Sequence, residues 1–157
     1  MRIALLALLA AGLLAVPAVA DAPPKTKPKV RVTGTPPKKL KKTDLKRGTW
    51  TLARKGSFVA VRYVGVGWKS KKEFDSSWSS RSRSDLFTFE IGAGNVIEGW
   101  DRGVLGMRAG GRRRLDIPPG QAYGSDGTPD GSIRPGEALA FVVDLVKVCK
   151  TQHACDR

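Results

Sequence analysis

Histidine occurs once in this chain and cysteine twice, and acidic residues number 14 against 28 basic ones. Each scarcity removes a class of chemistry. The one histidine, His153, lies in the C-terminal tail, so no Ser–His or Cys–His dyad can form around the middle of the chain. No recognisable motif sets two carboxylates across a cleft, and no phosphate-cradling loop is present; Gly92-Ala93-Gly94 is only a turn. No nucleic-acid-binding motif and no internal repeat stands out. The shortage of acids leaves a net charge of +14, which favours anionic surfaces such as lipid headgroups, cell-wall polymers or acidic proteins. The plain reading of that charge is solubility with non-specific attraction.

What is abundant is turn-forming residues, 18 Gly and 10 Pro in 157 positions, enough chain for one domain with tails. Residues 1–20 read as a targeting segment: Met1-Arg2, an apolar run over 3–16, and Ala18-Val19-Ala20 as a cleavage pattern. Residues 3–20 are just long enough to span a bilayer, so an uncleaved anchor stands as the alternative. The expectation is a protein exported from a bacterial cell, to the periplasm, envelope or exterior. Residues 21–37 are Pro- and Lys-rich with almost nothing apolar, which predicts an extended linker or disordered tail. An anionic envelope surface is the partner its charge would suit.

Strand patterning begins at residue 38. Leu40 and Leu45 mark an edge strand, and Gly48 to Leu52 a turn into a short extended piece. Val59, Val61 and Tyr63 share one face of a strand over 57–66, with Arg62 on the other. A polar loop over 78–85 precedes a strand carrying Phe87, Phe89 and Ile91. Asn95 suits a helix cap, with Val96, Ile97 and Trp100 along one face of a short helix. After Gly110-Gly111 the period becomes two: Arg113, Leu115 and Ile117 point one way, and Arg112, Arg114 and Asp116 form a wet face. Leu139, Phe141, Val143 and Leu145 line the last strand. The reading is α+β: an antiparallel sheet of about five to six strands wrapped on one short α-helix.

The run VIEGWDRGVLGM (96–107), the basic strand ending in Ile117-Pro118, Ala122-Tyr123-Gly124 and the closing LAFVVDLVKV (139–148) resemble an FKBP-type peptidyl-prolyl cis–trans isomerase. Val61 to Gly65 and Phe74-Asp75-Ser76-Ser77 fall in that family's order. The likeness covers about residues 38–148 and implies an isomerase domain there, with the fold just described. It implies catalysis of rotation about Xaa–Pro bonds in exported proteins, with no cofactor and no metal, acting as a monomer on proline-containing polypeptides. A peptide-holding chaperone or adaptor is the rival reading.

By that resemblance Tyr63, Phe74, Phe87, Val96, Trp100, Ile133 and Phe141 line a prolyl pocket floored by the indole. The Ile97 N–H and the Tyr123 hydroxyl grip substrate carbonyls, and Asp75 is the acid at the mouth. Asp75 orients Tyr63 or interacts with the twisting amide, or else caps its own turn. Arg134, Thr128 and the long 78–85 loop depart from the family on the rim. In the tail, residues 149–157, Cys149 and Cys155 read as a disulfide in an exported chain; joined by His153 they match no strong zinc pattern.

Overall fold

The computed structural model describes residues 22–78 and 86–156. The leader expected over 1–20, and all of the 78–85 loop except Trp78, lie outside the described residues. The elements run β1 (Lys41–Lys46), β2 (Phe58–Gly67), β3 (Glu73–Ser76), β4 (Phe87–Glu90), α1 (Glu98–Val104), β5 (Arg112–Ile117), a 3-10 turn (Pro119–Gln121), β6 (Leu139–Cys149) and α2 (Gln152–Asp156).

Six strands form one antiparallel sheet in the order β1-β5-β6-β2-β3, with β4 also on β2. The long strands β2 and β6 pair from Phe58 opposite Cys149 to Gly67 opposite Leu139. β3 and β4 take successive lengths of the far side of β2, opposite residues 64–66 and 58–61. The edge strand expected around Leu40 and Leu45 is β1, paired among the described residues to β5 alone.

The alternation read in the sequence sorts side chains as expected on one face. Val59 and Val61, Leu115 and Ile117, and Leu139 to Leu145 at every second position meet Trp100 and Val104 of α1 in the core. Two glycines let the helix sit this close. A Cβ on Gly99 would stand 2.4 Å from Ile117 Cγ2, and one on Gly103 would stand 2.6 Å from Leu115 Cδ1.

Three details differ from the sequence reading. The helix begins at Glu98 with Ile97, not Asn95, at the cap and no side-chain cap bond. Asp101 explains this: its carboxylate accepts the Gly92 and Gly94 N–H groups at 2.8 and 3.1 Å, which fixes the preceding loop from inside the helix. The face of β5 expected to be wet is covered, with Asp116 buried and, opposite Arg112 on β6, Asp144 buried as well. The cover is the segment read as a linker or tail. It is extended but lies along the sheet: Arg112 donates to Thr26 O, Arg114 to Arg31 O, and Trp68 Nε1 to Gly34 O, at 2.8, 2.8 and 3.0 Å. Val32 packs into a second apolar cluster with Val64, Val66, Trp68, Ala138 and Ala140. Beneath this strap Arg112 grips Asp144 bidentately at 2.6 and 2.8 Å, and Arg114 binds Asp116 at 2.7 Å. Paired in this way, the charges escape the penalty of lone burial.

At the other end of β6, Cys149 and Cys155 form a disulfide that holds α2 onto the sheet, with Cα atoms 5.6 Å apart.

Candidate active site

Where the open ends of β2, β3 and β6 face the start of α1, they enclose a cavity of about 220 Å³. A water molecule's share of the liquid is about 30 Å³, so the space suits a side-chain ring. Its wall is Tyr63 from β2, Phe74 and Asp75 from β3, Phe87 from β4, Asn95, Val96 and Ile97 from the loop before α1, Trp100, Tyr123 and Phe141.

Trp100 is almost wholly buried and is held edge-on by its neighbours: ring centroids lie 4.9 Å from Tyr63, 5.2 Å from Phe141 and 5.8 Å from Phe87, each near perpendicular. Such T-shaped contacts suit the aromatic quadrupole and fix the rings without side-chain freedom. Phe74 packs perpendicular to Phe141 at 5.6 Å, and the bare Cα of Gly65 makes room for both. The rings that the family resemblance assigned to one pocket line one wall here, brought together from β2, β3, β4, β6 and α1.

The titratable groups of the wall are Tyr63, Asp75 and Tyr123. The Tyr63 hydroxyl donates to Asp75 Oδ2 at 2.6 Å, while Asp75 Oδ1 accepts the Ser76 N–H at 2.8 Å. Asp75 is thus bonded at once to the Tyr63 hydroxyl and to the backbone of its own turn. Burial, then the bond to Asp75, drives the Tyr63 phenol well above the ordinary tyrosine range. Burial and the charge of Asp75 also push the Tyr123 phenol up. Tyr123 is 41% exposed, and its hydroxyl finds no partner among the described residues. The Ile97 N–H likewise meets no acceptor among them, while Ile97 O receives the first helical bond, from Trp100 N at 2.9 Å. Two donors are thus left unspent beside an apolar slot.

Ile133 does not join this wall. It is buried in the core, because Thr128 N bonds Ile133 O at 2.9 Å and Ile133 N bonds Thr128 Oγ1 at 3.0 Å, closing the loop and turning the side chain inward. Asn95 is the rim residue that the sequence reading assigned to a helix cap. Its place next to Val96 in the matching run was the available signal.

The family model for FKBP-type peptidyl-prolyl cis–trans isomerases matches residues 49–146. The chain is 49% identical over 115 residues to an FK506-binding protein of Streptomyces anulatus, covering 73% of this chain and 90% of that one. It is 41% identical over 123 residues to a probable FK506-binding protein of Corynebacterium glutamicum, covering 76% and 97%. Among solved structures, a peptidyl-prolyl cis–trans isomerase of Pseudomonas syringae superposes with a TM-score of 0.59 at 34% identity, over 70% of this chain and 75% of that one.

Proposed function

This chain belongs to the FKBP-type peptidyl-prolyl cis–trans isomerases and is an isomerase of Xaa–Pro bonds; from that premise we propose that the aromatic cavity receives the prolyl ring and that Ile97, Tyr123 and Asp75 carry the catalysis. The barrier to rotation is amide resonance, about 18–20 kcal/mol. The planar imide is more charge-separated than the twisted one, so an apolar slot disfavours the ground state more than the transition state. Positioned donors add to this where they bind the twisted carbonyl better. Of the two phenols, that of Tyr63 is spent on Asp75, whereas that of Tyr123 is available to a substrate. The observation that carries the assignment of roles is this pairing of a ring-sized, aromatic-walled cavity with two donors at its lip that have no partner among the described residues.

We further place its work on exported proteins. The leader pattern over 1–20 and the Cys149–Cys155 disulfide support that, since disulfides persist in oxidising compartments. A protease-coupled assay with Xaa–Pro peptides tests the reading. Tyr123→Phe with Asp75→Val is expected to lower kcat/KM about tenfold or more, about 1.4 kcal/mol of transition-state binding per factor of ten. A double variant as active as the parent would remove these residues from catalysis. The relatives are named for binding FK506, and competition by that compound gives a second readout of the same cavity.

A further inference from the structure

Three carboxylates are buried among the described residues: Asp116, Glu137 and Asp144. Two of them face arginines, Arg114 and Arg112. Glu137 has no ion-pair partner among the described residues and is held by backbone amides instead. Its Oε1 accepts the N–H of Lys69 at 3.0 Å and that of Ser70 at 2.8 Å, and its Oε2 accepts the N–H of Arg134 at 3.0 Å. Burial raises the carboxyl, but the bonds from Ser70, Arg134 and Lys69 outweigh it and hold the group below its usual range. The backbone leaves room for it: a Cβ on Gly67 would collide with Oε1.

The three amides belong to two segments that both reach the aromatic cavity. Lys69 and Ser70 lie in the turn between β2 and β3, and β3 brings Phe74 and Asp75 to the cavity wall. Arg134 lies in the loop that starts at Tyr123. That loop is closed on itself: Tyr123 O accepts Gly127 N at 3.2 Å, Gly124 O accepts Gly136 N at 3.0 Å, and Arg134 O accepts Glu137 N at 3.1 Å. A second tie joins the same two segments, from Lys69 Nζ to Pro135 O at 3.3 Å. For stability alone, an apolar side chain of similar volume would often serve as well as a buried charge. It would lack the two oxygens that bind both segments through charge-assisted bonds. On the reading that Tyr123 donates to the substrate, we propose that Glu137 is a positioning residue of the isomerase, a clamp that sets the Tyr123 lip against the Asp75 wall. It touches no reacting atom and acts through the placement of Tyr123.

The test is a double-mutant cycle in the protease-coupled assay, run on the full chain at a temperature where circular dichroism shows every variant folded. An amide keeps the size of the side chain but has one accepting oxygen, so Glu137→Gln can serve one segment only. It is expected to lower kcat about fivefold, the worth of one hydrogen bond, with KM little changed. In the Tyr123→Phe background the same change should cost less than about twofold, because the hydroxyl it positions is gone. Arg134→Pro removes one donor and leaves the carboxylate in place. It should reproduce the non-additive loss, and it keeps the test valid if Glu137→Gln folds poorly. Without substrate, amide NMR of Glu137→Gln should show the signals of Tyr123 and Asp75 both displaced. Equal losses in the two backgrounds, a parent-like kcat, or shifts confined to residues 134–138 would overturn the clamp. A Tyr123→Phe variant as active as the parent would instead sink the donor role, and the substrate-free shifts would then decide the clamp by themselves.

Discussion

Tyr63 and Tyr123 both wall the aromatic cavity, and their hydroxyls have different jobs. Tyr63 is tied to Asp75 at 2.6 Å, and Tyr123 is left with its proton to offer. Both phenols are held above their ordinary range, so both stay protonated through neutral and mildly alkaline pH. Isomerase activity should therefore be flat from about pH 6 to about pH 9. The sign for stability follows from the folded phenol holding its proton more tightly than the unfolded one. The contribution of Tyr63 is complete below the unfolded value of about 10 and is lost as pH rises beyond it. Denaturant titrations at stepped alkaline pH should show that loss in the parent and a shallower one in Tyr63→Phe. An equally steep fall in the variant would assign it to other groups. Ile133 marks the limit of reading at this scale: sequence order put it beside the pocket, but Thr128 folds the loop and buries the side chain instead.

For whole elements the sequence was clearest where a period ran unbroken. The alternation of Val59, Val61 and Tyr63, and of Leu139 to Leu145, identified β2, β6 and their common inner face, because half-buried strands must alternate. The helix start was less legible, since its fixing carboxylate, Asp101, lies within the helix rather than ahead of it. Gly99 and Gly103 are points of close approach, and the facing side chains are Ile117 and Leu115 of β5. Gly99→Ala would force its methyl into Ile117. The expected cost is about 1–3 kcal/mol in chemical denaturation, even though alanine is the better helix former. A stabilised variant would mean that α1 can lift off the sheet freely.

At the scale of the molecule, composition misled about residues 22–34. Lysine and proline suggest a solvated spacer, and only Val30 and Val32 hint otherwise; the contacts that seat the segment come from arginines some 80 residues away in sequence. Removing it should expose Val64, Val66 and Trp68 and take away the Gly34 acceptor of the indole. A chain beginning at Thr35 is expected to lose about 2–3 kcal/mol of unfolding free energy and to show red-shifted tryptophan emission, yet to keep its isomerase activity. Unchanged melting and emission would mean that the strap is not seated in solution.

A harsher trim teaches more. The aromatic cavity draws no wall residue from before Tyr63, so a worker seeking the smallest active piece would be tempted to begin at Gly48. That cut discards the strand whose lysines now screen the margin of the sheet. Arg112 to Ile117 would then become the margin, with a bare row of amides and carbonyls open to the next molecule. The shorter chain could retain every group that turns a prolyl bond and still be lost to aggregation before it turned one.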